Sequence, residues 1–131
     1  MKNKRITSAA AAACVVGLLA TAAPAHAANE IVDISDATIT QRTISGSYTV
    51  NCDGDSGIAI IDIFQATGRG IQVGSQQDFQ CGAEQTITYT ATPQRGSFTP
   101  GTATATVTLV VCSGDACFIE ATTTEEIQLT R

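Results

Sequence analysis

The sequence predicts an all-β domain of seven or eight antiparallel strands packed as two sheets. Three observations predict it. Apolar and polar side chains alternate with a period of two, turn residues separate the alternating segments, and no segment of helical length has a 3.6-residue period. An even number of cysteines in the same region adds two disulfides to this prediction.

Alternation is clearest in two segments. In residues 43–52, TISGSYTVNC, the even positions carry Ile, Gly, Tyr, Val and Cys, and the odd positions carry Thr, Ser and Asn. In residues 102–112, apolar residues occupy the odd positions from Ala103 to Val111, opposite a row of threonines. Because successive side chains of a strand point to opposite faces, we expect these apolar faces to form the core.

The other predicted strands are less regular. Residues 58–64, IAIIDIF, form an apolar run typical of a strand covered on both faces, in which Asp62 would need a partner if it were buried. Further strands are expected at 30–34, 70–74, 77–81, 86–92 and 118–129, with turns at 52–57, 66–70, 93–101 and 113–116. This spacing favours an immunoglobulin-like sandwich, and a small closed barrel is the alternative.

Residues 1–27 predict a cleaved secretory signal peptide. Three basic residues precede an apolar stretch from Ala9 to Ala22, and Ala25-His26-Ala27 provides the cleavage site. This stretch is too short to span about 30 Å of hydrocarbon as a helix. We therefore expect a secreted protein with a single β-sandwich domain at 28–131.

The expected mature chain is acidic. It keeps all 12 acidic residues but only four basic ones, which gives a net charge of −8. The four are Arg42, Arg69, Arg95 and Arg131. So few scattered cations argue against nucleic acid and anionic membranes as partners. We expect a monomer whose partner is an extracellular ligand or protein.

Four cysteines remain after signal cleavage, and they allow three disulfide connectivities. We predict Cys52–Cys81 and Cys112–Cys117, since both separations suit β-topology. Zinc is the competing interpretation, but only one pair is close enough to resemble a zinc half-site. A redox role would require a Cys-x-x-Cys pair at the start of a helix, which the sequence lacks.

The predicted mature chain offers little for catalysis. It has no histidine and no lysine, so it can form neither a histidine-based triad nor an amine nucleophile. Carboxylate pairs at Asp53/Asp55 or Glu125/Glu126 are the remaining option, because glycosidases use two carboxyl groups. If the protein were an enzyme, Asp62 together with Asp53 or Asp55 would be the first candidates for its catalytic residues. We nevertheless expect a protein that is not an enzyme.

No metal or cofactor is expected. Asp53-Gly54-Asp55-Ser56 has alternate carboxylates like half of a calcium loop, but the further oxygens and the distal glutamate are missing. Threonine ladders at 86–92 and 102–108 resemble flat ice-binding or glycan-facing sheets. Sheet twist opposes such a flat lattice, and exposed threonine is also the usual way to make a strand soluble.

Two family resemblances bear on function. VVCSGDACFIE, at 110–120, resembles the C-terminal hairpin of neocarzinostatin-type apoproteins, which are small acidic sandwiches that carry an enediyne chromophore in a cleft. That family's second disulfide is also short, unlike Cys52–Cys81. SGSYTVNC, FQCG and PGTATATVTL are more similar to small secreted actinobacterial sandwich domains of unknown function. This second resemblance implies a fold and no activity.

Two functions are therefore expected from the sequence. The first is a secreted non-catalytic binding or scaffold module. The second, implied by the neocarzinostatin-type hairpin, is a small-molecule carrier with an apolar cleft. The candidate cleft residues are the four phenylalanines Phe64, Phe79, Phe98 and Phe118. A deep cleft lined by them would favour the carrier, and a filled core with flat faces would favour the module.

Overall fold

The computed structural model describes residues 29–131, and the predicted signal peptide lies outside this part. Six strands and no helix are present in it. They are β1 (Glu30–Ile34), β2 (Ala37–Thr40), β3 (Thr43–Gln65), β4 (Ile71–Ala91), β5 (Gly101–Ser113) and β6 (Ala116–Thr130). This described part thus offers no helix of the length and apolarity needed to cross a membrane. The all-β prediction is confirmed.

The strand count differs from the prediction because β3 and β4 are unusually long. Residues 52–57 were expected to form a turn, but they lie inside β3, where the pairing with β4 shifts register on both sides of Cys52. Such bulges bend a strand without ending it. Likewise, the strands expected at 70–74, 77–81 and 86–92 are parts of β4. The short strand β2 was not predicted.

One six-stranded sheet contains all the strands, and its pairings form a closed circuit. The first half of β3 pairs with β1 and β2, and its second half pairs with β5. β5 forms a hairpin with β6, and the end of β6 pairs in parallel with β2. Both a closed barrel and two packed sheets that share the bent strand β3 give this circuit, so the immunoglobulin-like sandwich stays a prediction.

The core is formed by the alternating faces that the sequence predicted. The even positions Ile44, Tyr48, Val50 and Cys52 of β3 are buried, and so are the odd positions 103–111 of β5. This confirms the predicted direction of both strands' side chains. Burial of these faces against each other stabilises the fold by roughly 25 cal/mol per Å² of apolar surface removed from water.

The prediction that residues 58–64 are covered on both faces was wrong. Ala59, Ile61 and Ile63 are at most 1 % exposed, but Asp62 is exposed and Phe64 is 44 % exposed. The segment is central in hydrogen bonding, since it lies between β4 and β5. A central strand has two faces, however, and only one of them meets the core.

The loop that connects β4 to β5 is held by hydrogen bonds near both of its ends. The buried Gln65 side chain accepts a hydrogen bond from the Thr99 N–H at 2.9 Å and donates to the Thr99 carbonyl at 2.8 Å. Near the other end, the Arg42 guanidinium donates to the Pro93 carbonyl at 2.6 Å. Between them, Phe98 enters the core with 1 % exposure. These contacts hold the loop across one end of the domain.

Both predicted disulfides are present. Cys52–Cys81 joins β3 to β4 at the bend of the two long strands, with the Cα atoms 4.9 Å apart. Cys112–Cys117 joins β5 to β6 beside their turn, with the Cα atoms 4.0 Å apart. One bridge therefore lies at the bend and the other at the tip of a hairpin.

Candidate functional site

The four phenylalanines proposed as cleft-lining residues do not come together. Phe98 is in the core, and Phe79 is half-buried with its ring against the backbone of Gly57. Phe118 is 64 % exposed near the β5–β6 turn. Phe64 lines a shallow groove of about 370 Å³, and none of the other three phenylalanines contributes to it. The carrier hypothesis therefore receives no support from these residues.

Asp62 lies on the outer face of β3 and is exposed, which answers a question that the sequence left open. It lines a second shallow groove, of about 460 Å³, together with Gly74 and Arg95. Gly74 provides the space for its carboxylate, because a Cβ there would lie 2.8 Å from Asp62 Oδ1. Asp62 is seven residues beyond Asp55 in β3, or about 23 Å along the strand at 3.3 Å per residue. A glycosidase needs its two carboxyl groups within about 10 Å.

The Asp53/Asp55 segment has a structural role that the sequence did not indicate. Asp55 Oδ2 accepts a hydrogen bond from the Gly114 N–H at 2.9 Å, so it ties the bend of β3 to the β5–β6 turn. Asp53 donates its backbone N–H to Asn29 Oδ1 at 2.7 Å. Within residues 29–131, no three His, Cys, Asp or Glu side chains are grouped so that they could hold a metal ion.

The Glu125/Glu126 pair is divided between the two faces of β6, as expected for neighbours on a strand. Glu126 is exposed and lines the same groove as Phe64. Glu125 is half-buried and lies opposite Ala105. The two carboxylates therefore do not face a common space.

The β5–β6 hairpin extends beyond the core. Val111 and Cys112 are the last buried residues of β5, and the first five residues of β6 are all exposed. As a result, Phe118 and Ile119 are 64 % and 69 % exposed. The Cys112–Cys117 disulfide and the Asp55 hydrogen bond hold the tip in place.

A β-bulge sets the direction of Ile119. Leu109 pairs with Ala121 and Val110 pairs with Ile119, which leaves Glu120 as the extra residue in β6. Ile119 is thereby turned to the outer face beside Val110, which in turn lies opposite Ile58 of β3. Phe118 pairs with the inward-facing Val111, so it points to the opposite face of the hairpin from Ile119. We call Phe118 on one face, and Ile119 with the half-buried Val110 and Ile58 on the other, the hairpin surface.

The charged residues around the hairpin surface are all acidic. Asp115 lies in the turn, Glu120 is the bulge, Asp55 holds the tip, and Asp78 lies opposite Ile58. All four carboxylates belong to exposed residues. The arginines of the described chain lie at the other end, in or beside the turns at 41–42, 66–70 and 92–100 and after β6. The hairpin surface is therefore apolar with an anionic rim.

Two buried tyrosines form the other notable polar feature. Tyr48 and Tyr89 are 1 % and 3 % exposed, their ring centroids are 6.1 Å apart, and neither hydroxyl has a hydrogen-bond partner. Burial raises the pKa of Tyr48 to about 12. Burial, with a smaller contribution from Tyr48, raises the pKa of Tyr89 to about 12 as well. Both tyrosines belong to the core, so we assign their rings to packing and neither hydroxyl to a binding site.

Comparison with known proteins yields no family: no family model matches the sequence, and no curated protein matches it. The resemblances to neocarzinostatin-type apoproteins and to actinobacterial sandwich domains therefore rest on the quoted sequence segments. Functional interpretation has to start from the surface geometry.

Proposed function

We propose that this protein is a secreted, non-catalytic binding module that contacts its partner through the hairpin surface. The observation that carries the proposal is the exposure of Phe118 and Ile119 on the two faces of a hairpin whose tip is held by a disulfide. Ile119 lies beside Val110 and Ile58, and contiguous apolar side chains at a surface mark interaction sites more often than single ones do. A surface held by a disulfide also loses little conformational freedom on binding, which favours affinity.

The module is better supported than the carrier or an enzyme. A carrier needs an apolar cavity, but the two grooves described above are shallow and their linings include Asp62 and Glu126. An enzyme based on paired carboxylates would need them to converge, and Asp62 lies far along β3 from Asp53 and Asp55. The hairpin surface instead offers a rigid apolar contact area without any reacting group.

Site-specific photo-crosslinking tests this proposal. A photoreactive phenylalanine analogue replaces Phe118 or Ile119 in one pair of proteins and Phe64 in the control, and each protein is irradiated in the culture that secretes it. We expect crosslinked partner from positions 118 and 119 and little from position 64, although Phe64 is also exposed. Equal yields at all three positions, or none at 118 and 119, would contradict the proposal. A crosslinked or co-purifying small molecule at Phe64 would favour the carrier.

A further inference from the structure

We propose that the hairpin surface selects a cationic partner, namely a protein or peptide segment whose apolar side chains are flanked by lysine or arginine. This inference rests on the proposed function and adds the chemistry of the partner to it. Two independent features of the hairpin carry it: apolar side chains exposed on both of its faces, Phe118 on one and Ile119 on the other, and a rim in which every charged group is a carboxylate.

The acidic rim is part of a larger charge separation within the domain. Seven of the 12 acidic residues lie at the end that contains the hairpin tip and the bend of β3. They are Glu30, Asp53, Asp55, Asp78, Glu84, Asp115 and Glu120. These residues are far apart in the sequence, and the strand pairings bring them to the same end of the domain. Such an anionic end attracts and orients a partner of opposite charge.

Other occupants fit this surface less well. Two copies that meet through their hairpin surfaces would bring two anionic rims together, which costs free energy. An anionic membrane or a nucleic acid would be repelled for the same reason. A neutral apolar partner would cover Asp115 and Glu120 without offering them a counter-charge, and burial of an unpaired carboxylate is costly. A cationic amphipathic segment satisfies both features.

Binding of three designed peptides tests the chemistry. The probes are a peptide of alternating leucine and lysine, its leucine–glutamate counterpart, and its serine–lysine counterpart, each measured by fluorescence anisotropy with the full mature protein. We expect the leucine–lysine peptide to bind more than about tenfold tighter than either of the others. We also expect its affinity to fall as salt is raised, because the Debye length shrinks from about 10 Å at 0.1 M to about 3 Å at 1 M.

Matched variants locate the binding on the protein. Asp115→Asn/Glu120→Gln should weaken leucine–lysine binding by at least about threefold, as expected for the loss of two exposed charge pairs. The control Asp62→Asn/Glu126→Gln removes the same charge at the other end and should leave binding unchanged. Phe118→Ser/Ile119→Ser should weaken binding more than about tenfold, whereas Phe64→Ser should not. Circular dichroism and thermal unfolding verify that each variant is folded.

The outcomes separate this inference from the proposed function. If the leucine–glutamate peptide binds as tightly as the leucine–lysine peptide, the inference that the partner is cationic is wrong. The inference is also wrong if Asp115→Asn/Glu120→Gln and Asp62→Asn/Glu126→Gln weaken binding equally. The net charge of the protein, and not the hairpin rim, would then determine the affinity. Crosslinks from positions 118 and 119 would still support the binding module in either case.

Discussion

The Cys52→Ala/Cys81→Ala variant is expected to lose about 3.6 kcal/mol of unfolding free energy, and Cys112→Ala/Cys117→Ala about 2 kcal/mol. The reason is the length of chain that each disulfide closes. Cys52 and Cys81 are separated by 29 residues, against 5 for Cys112 and Cys117. The longer loop restricts the unfolded chain more, so its bridge contributes more to stability.

The environment of each disulfide acts in the same direction. Cys52 is 4 % exposed and belongs to the core at the bend of β3, so its truncation also leaves a small cavity. Cys112 is also buried, but it lies outside the core cluster and its partner Cys117 is exposed, so truncation of this pair leaves a smaller cavity. Breaking this second bridge loosens the hairpin tip, which Asp55 still holds through Gly114.

Urea unfolding of the two double variants and the unmodified protein, followed by circular dichroism, measures the difference. Each double variant is the control for the other, because both lack one disulfide and neither contains a free thiol. A larger stability loss in Cys112→Ala/Cys117→Ala would show that the loop-length argument does not govern this domain. In that case the hairpin tip would be more important to the fold than its exposure suggests.

Side-chain direction within strands was the most predictable property of this fold. Alternation in residues 43–52 and 102–112 correctly identified the buried faces, because a period of two is imposed by the strand itself. The two disulfides were predictable for a related reason, since each pair lies at the end of an inferred strand. Local sequence therefore contained the information on which side chains point inward.

Strand length and pairing were less predictable. Residues 52–57, CDGDSG, have the composition of a turn, but in the structure they form a bend in which β3 continues. Whether such residues turn the chain or bend it depends on partners elsewhere, here β4 on one side and β5 on the other. β2 has only four residues, so its alternation is too short to detect locally, although it forms a hairpin with the neighbouring β3. Its second partner, β6, is at the far end of the chain.

The hairpin surface could not be read from the sequence because it depends on where the core ends. Phe118 and Ile119 look like ordinary strand residues, and the bulge at Glu120 that turns Ile119 outward has no local sequence signal. The acidic rim likewise arises from topology, which places Asp55, Asp78 and Asp115 near one another. The sequence did show that the expected mature chain is acidic, but not where its few cations lie.

Raising the pH from about 10 to about 12 is expected to remove roughly 2 kcal/mol of stability for each of the two buried tyrosines. Tyr48 and Tyr89 each have a pKa of about 12 in the folded protein, against 10.0 ordinarily. Below pH 10 both states carry neutral tyrosines, and the full stability is present. Above pH 10 the unfolded chain ionises first and is favoured, so stability is lost as the pH rises through 12.

Tyrosinate absorbance measures this directly, because Tyr48 and Tyr89 are the only tyrosines of the chain. After a rapid pH jump, we expect ionisation to occur together with the loss of the β-sheet circular dichroism signal. The Tyr48→Phe/Tyr89→Phe variant is the control: it should resist the same jump. It should also be at least as stable at neutral pH, since it removes two buried hydroxyls that have no hydrogen-bond partner. Ionisation near pH 10 with the fold intact would mean that water reaches these hydroxyls and that the core is open at the Tyr48–Tyr89 pair.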